Sequence, residues 1–129
     1  MASQKIIKEK SKLTTIWTNP SPTSEFSAQT ISVDLSEYDV VFVYLKRDTG
    51  ANSLMLNPFV ILKPYILDDI TPFVASNVVT GGGLLGRRIF NVSKTGVEFT
   101  NADRYTSYGN NSVADNTLLI PHIIIGVIF

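Results

Sequence analysis

Short runs of β-branched and aromatic residues recur along the chain, and clusters of Pro, Gly, Asn, Asp and Ser separate them. Three examples are LTTIWT at 13–18, VVFVYLK at 40–46 and LLIPHIIIGVIF at 118–129. Residues of these types favour the pleated surface of a sheet, and no segment shows a long helical period. Seven or eight such runs predict an all-β fold, built as an antiparallel β-sandwich or a jelly-roll-like domain.

The size and composition of the chain indicate one folded domain. The chain has 129 residues, of which 44% are hydrophobic and 17% are charged, and it contains no cysteine. A domain of this size buries roughly two thirds of its unfolded surface, so it folds without disulfides or metal. We therefore predict a single β-sandwich domain over residues 13–129, preceded by a short basic arm over residues 1–12, and no cofactor.

The arm is basic, whereas the body of the chain is slightly acidic. Residues 1–12 hold four of the eleven basic residues and one of the eleven acidic residues, which leaves seven basic and ten acidic residues in the body. These charges predict a solvated terminus, and the alternative, which the apolar pair among the lysines favours, is an arm that docks on an acidic partner surface. The arm residues concerned are Lys5, Ile6, Ile7, Lys8, Lys10 and Lys12. The body has no basic stripe, so nucleic acid is not a predicted partner.

The chain shows no export or membrane signal. Its N-terminus is charged and lacks the apolar stretch of a signal peptide. The apolar closing run is too short to span a bilayer and contains Pro121. We expect a protein that is made in the cytosol, has no membrane partner, and either stays there or is released by a route other than secretion.

Several segments give more specific expectations. Residues 29–35 alternate between apolar and polar side chains, which predicts a strand with one buried face. RIFNV and VEFT flank SKTG, which predicts a hairpin with Gly96 in a left-handed conformation. Residues 68–76 fit a short helix or a loop, and the polar residues 101–116 are expected to form an exposed loop. Pro64 indicates an edge, a bulge or a bend.

No residue pattern indicates catalysis or metal binding. His122 is the only histidine and lies in an apolar run, so we predict a hydrogen-bonded strand residue. Asp68 and Asp69 are expected in a solvated turn, with a weak calcium site as the alternative. A wall hydrolase would need paired carboxylates, and the available acidic residues are scattered. They include Glu25, Glu37 and Glu98.

The glycine-rich segment 81–88 has two glycines at the spacing of a phosphate loop. It lacks the lysine and the hydroxyl residue that contact phosphate and magnesium, and no helical pattern follows it. We therefore expect the glycines to permit a tight loop or a close approach of chains at an axis. At its end, one of Arg87 and Arg88 is predicted to face solvent and the other to pack or pair.

The aromatic and polar residues near the end of the chain form the predicted ligand surface. Tyrosine rings stack on sugars, and Asn and Asp hydrogen-bond to hydroxyl groups. The proposed saccharide surface comprises Tyr105, Tyr108, Asn101, Asp103, Arg104, Asn110 and Asn111. The alternative is that these are ordinary loop residues. Trp17 could also be a binding platform, but its place in a strand predicts a half-buried position.

The stretch IWTNPSPTSEFSAQTISVDLSEYDVVFV at 16–43 resembles a module of small virion proteins and fibre tips of tailed bacteriophages, particularly those of Gram-positive hosts. In that module a Trp-Asn-Pro-like opening leads to an alternating strand, a turn with a Tyr-Asp pair and an apolar strand. Further along, GRRIFNVSKTGVEF at 86–99 is similar to its late hairpin and LLIPHIIIGV at 118–127 to its closing strand. The resemblance thus extends over most of residues 13–129.

The resemblance implies a non-enzymatic structural protein on the surface of a virion. One expectation is a tail or baseplate protein whose exposed loops bind a host wall saccharide and contribute to attachment. The other is a capsid decoration or head-fibre protein with a purely structural role. Both imply contacts with other virion proteins and a homo-oligomer, with a trimer favoured. The residues expected to have a structural or interface role are Trp17, Pro20, Pro22 and Tyr38.

Overall fold

The computed structural model describes residues 11–78, 85–105 and 112–129, which form nine strands and one turn of 3-10 helix. The strands are β1 (Lys12–Thr18), β2 (Gln29–Ser32), β3 (Val40–Asp48), β4 (Phe59–Leu62), β5 (Thr71–Val78), β6 (Leu85–Ser93), β7 (Gly96–Tyr105), β8 (Ser112–Ala114) and β9 (Leu118–Ile128). The 3-10 helix spans Lys63–Tyr65. Within these described ranges no helix has the length and apolar character needed to cross a membrane.

The strands form two antiparallel sheets. Sheet I has the order β1-β9-β3-β4, and sheet II has the order β2-β7-β6-β5. Strand β8 pairs with the last residues of β7, on the same edge where β2 pairs with its first residues. This arrangement confirms the predicted all-β, antiparallel sandwich class. The finer description as a jelly roll stays a prediction.

The inner faces of both sheets enclose one apolar core. Val43 and Ile124 from sheet I and Phe90 and Phe99 from sheet II are fully buried within it. Trp17 is half-buried at the margin of this core, with its ring centroid 6.0 Å from that of Phe26 and 6.1 Å from that of Phe99. The side chain therefore packs against the sandwich interior.

Tyr38 lies in the turn before β3 and packs on β9 near its C-terminal end. It is buried, and its ring lies so close to Gly126 that a Cβ atom at that position would overlap the ring. A glycine in the interior of a strand often marks such a close approach. Tyr38 and Gly126 together therefore hold the β2–β3 connection against sheet I.

The hairpin predicted from RIFNV, SKTG and VEFT is confirmed as β6 and β7, joined through Lys94 and Thr95. Gly96 has a φ of 145°, and a side chain there would overlap the carbonyl of Ile31 on β2. Pro64 lies in the 3-10 helix that ends the edge strand β4, which agrees with the predicted edge or bend.

Three segment predictions need correction. Within the segment 68–76, for which a short helix or a loop was expected, residues 71–76 belong to the edge strand β5. Residues 101–105 are the end of β7 and 112–114 form β8, so half of the expected exposed loop 101–116 is a strand pair. The alternating run at 29–35 is a strand only to Ser32, since the residues that follow bond to the β6–β7 turn. The reason in the first two cases is cross-strand pairing, of β5 with β6 and of the end of β7 with β6 and β8, which local polarity does not reveal.

Arg88 on β6 is fully buried, and its guanidinium donates three hydrogen bonds to backbone carbonyls of other strands. The acceptors are the oxygens of Leu119 at 2.7 Å, Thr100 at 2.7 Å and Leu118 at 3.0 Å. Burial lowers the pKa of Arg88 to about 10, so the side chain still carries its charge at neutral pH. Of the two adjacent arginines, Arg87 is partly exposed, as predicted for such a pair.

The acceptors of Arg88 lie where strand geometry is irregular. Thr100 belongs to a bulge, because two residues of β7 stand opposite one residue of β6 between the pairs Arg88–Ala102 and Phe90–Phe99. Leu119 has a φ of 49°, which a non-glycine residue seldom adopts. The buried guanidinium thus ties a bulge of sheet II to a strained residue of sheet I.

The sandwich has two distinct ends. At one, called the arm pole, Lys12 of β1 lies opposite Ile128, and the β6–β7 turn bonds to Val33 and Leu35. At the other, called the distal pole, β9 begins beside the end of β3, and β7 ends beside β8. Residues 1–11 therefore join the sandwich at the arm pole, whereas the connections after Val78 and after Tyr105 leave from the distal pole.

We predict that Arg88→Met destabilises the domain by at least about 3 kcal/mol, because three buried carbonyls lose their charged donor. Chemical denaturation would measure the free energy of unfolding. Arg87→Met is the matched control, since its partly exposed ion pair contributes at most about 1 kcal/mol. Equal losses in the two variants would contradict the structural role of Arg88.

Candidate ligand-binding surface

The outer face of sheet II brings together two of the predicted ligand residues, Asp103 and Tyr105, with Arg87. Strand pairing places Arg87 opposite Asp103, and Leu85 opposite Tyr105, near the distal pole. The outward direction of the three side chains follows from the period-two alternation of β6 and β7. Arg88, next to Arg87, and Ala102, next to Asp103, point into the core. The strand pair therefore presents them on one face.

The three side chains contact one another and remain accessible. Arg87 Nη2 lies 3.3 Å from Asp103 Oδ2, and the side chains are 40% and 31% exposed. The Arg87 guanidinium carbon lies 5.0 Å from the centre of the Tyr105 ring. A stacked guanidinium, a carboxylate and a phenol offer donors and acceptors beside an aromatic surface, which suits a ligand rich in hydroxyl groups. We call these three residues the Arg-Asp-Tyr cluster.

Other predicted ligand residues have different surroundings. Asn101 Oδ1 accepts hydrogen bonds from the Ala28 amide at 2.9 Å and from Asn116 Nδ2 at 3.1 Å, so it joins two connections of the fold. Arg104 does not join the cluster, because its Nε lies 3.8 Å from Asp115 Oδ2. Tyr108, Asn110 and Asn111 lie outside the described residues, as do the arm residues Lys5, Ile6, Ile7, Lys8 and Lys10.

Sequence reasoning missed Arg87 as a ligand candidate. The sequence places Arg87 at the start of a strand, but it does not by itself name the residue that lies opposite Arg87 on the neighbouring strand. Once β6 and β7 form a hairpin through the Lys94–Thr95 turn, counting back along both strands places Arg87 opposite Asp103. A hairpin register applied to the charged residues would therefore have found the pair.

The segment after β1 is tied to the bulge of β9. Asn19 is buried, its amide N donates to His122 O at 2.8 Å, and its Nδ2 donates to Pro121 O at 2.8 Å. Lys46 Nζ donates to Pro22 O at 3.0 Å, while Pro20 is exposed in the same connection. These contacts give the Asn-Pro-x-Pro stretch a structural position at the distal pole.

His122 is the extra residue of a bulge, because β3 pairs Tyr44 with Ile123 and then Leu45 with Pro121. A bulge is a position where a central strand tolerates proline. The backbone of His122 is hydrogen-bonded, but in the described part of the chain its buried Nδ1 has no partner. The prediction of a hydrogen-bonded histidine is therefore wrong for the Nδ1 atom. Burial, and then the charge of Lys46, lower the pKa of His122.

We predict that His122 makes the domain less stable as the pH falls below about 6.5, the value for an unfolded histidine. The unfolded chain takes up the proton first, because the folded pKa is lowered, and the loss ends below the folded pKa. Free energies of unfolding at about pH 7.5 and about pH 5 should differ less in His122→Gln than in the parent. An equal difference in both proteins would contradict this assignment.

The acidic residues considered for catalysis and metal binding lie apart in the fold. Glu25 and Glu37 are exposed in two connections, and Glu98 is exposed on β7. Asp68 Oδ1 lies 3.5 Å from Lys94 Nζ at the arm pole and is 91% exposed. Across the described residues, no group of three or more His, Cys, Asp or Glu side chains could hold a metal ion.

Comparisons with models of known protein families, with curated proteins and with solved structures found no significant match.

Proposed function

We propose that this chain is a non-enzymatic structural protein on the surface of a bacteriophage virion, at the tail or baseplate or on the capsid, and that it contributes to host attachment. The observation that carries the proposal is the polarity of the sandwich. The basic arm joins at the arm pole beside Lys12, and the Arg-Asp-Tyr cluster lies near the distal pole. One end is thus free to anchor while the other end faces outward.

The distance between the poles suits this division of roles. Strand β9 has 11 residues and runs from the distal pole to the arm pole. At about 3.3 Å per residue it spans roughly 35 Å. An anchor at one end therefore leaves the Arg-Asp-Tyr cluster clear of the surface to which the arm binds.

The composition of the cluster supports a saccharide as the ligand. It contains one cation, one anion and one aromatic ring, so it has no net charge that would select a highly charged ligand. Hydroxyl groups can accept from the guanidinium and donate to the carboxylate, while the ring supplies an apolar surface. This chemistry and the resemblance of residues 16–43 together favour a polysaccharide of a Gram-positive cell wall as the ligand.

The second candidate function is a capsid decoration or head-fibre protein without a ligand of its own. The pairing of Arg87 with Asp103 favours it, since both charges are already satisfied within the chain. The two candidates share the anchoring arm and differ in the role of Tyr105. They are therefore separated by binding experiments rather than by assembly experiments.

We predict that deletion of residues 1–12 abolishes incorporation of the protein into virus particles, because the arm supplies the basic and apolar contacts to the particle. The particles would be assembled with the deleted chain as the only source of this protein and examined by immunoblot. A variant with Lys5, Lys8 and Lys10 changed to Gln would show whether the charge is the cause. Unchanged incorporation of the deleted chain would refute the anchoring role.

We predict that Tyr105→Ala weakens binding to purified Gram-positive wall polysaccharide by roughly tenfold, the effect of losing about 1.4 kcal/mol. Tyr65→Ala is the control, because Tyr65 is a solvent-exposed tyrosine that lies beside β4 at the arm pole, away from the partly exposed Tyr105. Binding would be measured on a glycan array and by sedimentation with wall fragments. Binding that survives in Tyr105→Ala would exclude this surface and leave the decoration role.

A further inference from the structure

The outer face of sheet I is almost entirely apolar. Strand pairing arranges its side chains in three rows. Two rows cross all four strands, and the third crosses β1, β9 and β3. One row runs Leu13, Val127, Val40 and Leu62. The next runs Thr15, Ile125, Phe42 and Val60, and a third runs Thr18, Ile123 and Tyr44. We call these eleven residues the outer face of sheet I.

This face carries no charged side chain, yet much of it is exposed. Leu13 is 66% exposed, Val60 is 54% exposed and Leu62 is 49% exposed. The central residues Phe42, Tyr44, Ile123, Ile125 and Val127 are partly exposed, although they stand in the middle of a sheet. Contiguous apolar patches of this kind mark sites of protein contact on soluble proteins.

The outer face of sheet II differs in composition. Its rows contain Glu98, Asn91, Arg87 and Asp103, so charges and amides alternate with apolar groups. That mixture is what an antiparallel sheet shows on a face that contacts water. The two outer faces of the sandwich thus have different surroundings in the functional protein.

Strands β3 and β9 account for the apolar face. Strand β3 is apolar from Val40 to Leu45, before it ends in Lys46, Arg47 and Asp48, and β9 is apolar at most positions, so these runs lack the alternation expected of a strand with one wet face. The inner half of each run is buried in the core, where Val41, Val43 and Ile124 are fully buried. Packing among the described residues of one chain does not explain why the outer half of each run is apolar.

We infer that the outer face of sheet I packs against the same face of a second copy of this chain. An uncharged face needs an uncharged partner, because a charged group buried against it would lose its hydration without compensation. A second copy provides such a face in equal amount. Two sheets that meet face to face around a two-fold axis form a closed, isologous contact, which gives a dimer in place of the trimer that the resemblance implies.

The size of the face agrees with a specific interface. Val40 is already buried, which leaves ten residues that can lose surface. If each loses on the order of 60 Å², the contact removes about 600 Å² per copy, or about 1,200 Å² in total, which is the lower limit for stable specific complexes.

Substitution of exposed edge residues tests this inference with little risk to folding. Val60 on β4 and Val74 on β5 are each 54% exposed valines on edge strands, but Val60 belongs to the outer face of sheet I and Val74 to that of sheet II. Val60→Arg is therefore the test variant and Val74→Arg its matched control. Leu13→Arg, on the opposite edge of sheet I, is a second test variant.

Analytical ultracentrifugation of the full chain would give the molar mass relative to the 14.2 kDa monomer. We expect an oligomer for the parent and for Val74→Arg, and at least a tenfold weaker association for Val60→Arg and Leu13→Arg. Circular dichroism and denaturation would confirm that all variants fold. This experiment needs neither particles nor saccharide, so its result is independent of the proposed function.

Two results would overturn the inference. One is a parent chain that stays monomeric at high micromolar concentration. If deletion of residues 1–12 from such a monomer increases the binding of a hydrophobic dye, the chain's own arm covers the face. The other is an oligomer that all three arginine variants leave intact, since a different surface would then hold it together. Loss of association in Val74→Arg but not in Val60→Arg would assign the contact to sheet II.

Discussion

The buried guanidinium of Arg88 is the interaction on which the arrangement of the two sheets depends. It is contributed by β6, and its acceptors are Thr100 on β7 and Leu118 and Leu119 on β9. Apolar packing brings two sheets together without fixing how far one slides along the other, since it is not directional. Hydrogen bonds from one rigid fork to carbonyls of both sheets supply that direction. The irregular residues at Thr100 and Leu119 are tolerated because they aim carbonyls at this charge.

The same fixed relation of the sheets determines where the Arg-Asp-Tyr cluster lies. Because β6 and β7 are held against β9, the outward residues of β6 and β7 near the distal pole, Arg87, Asp103 and Tyr105, are set on the face away from sheet I. The arm enters on the edge of sheet I at the other pole. The proposed anchor and the proposed ligand surface therefore lie at opposite poles of one small domain, and the proposed oligomer face lies on the outer side of sheet I, where its edge residue Leu13 follows the arm.

The sequence predicted the fold class well and the candidate site only in part. Strands such as β3 and β9 and the β6–β7 hairpin are dictated by local composition and turn residues, so they could be recognised without a structure. Strand β5 and the end of β7 were not recognised, because Pro72 and the polar run from Asn101 resemble loops. Their strand conformation depends on cross-strand pairing with β6 and β8, which local polarity does not reveal. Without a strand register, the contact of Arg87 with Tyr105 and the carbonyl partners of Arg88 could not be recognised either.

The absence of alternation in β3 and β9 carries information beyond the fold. A strand that is apolar on both faces is ordinarily one with a layer packed on each side. Among residues 11–78, 85–105 and 112–129, only one side of sheet I has a layer, so the apolar pattern indicates more burial than these residues provide. Selection for folding alone would allow polar residues at Phe42, Ile123 and Ile125, as it does on the outer face of sheet II. Their apolar character is explained if sheet I is an inner layer of the assembled protein, with the second sandwich supplying the layer that the first one lacks.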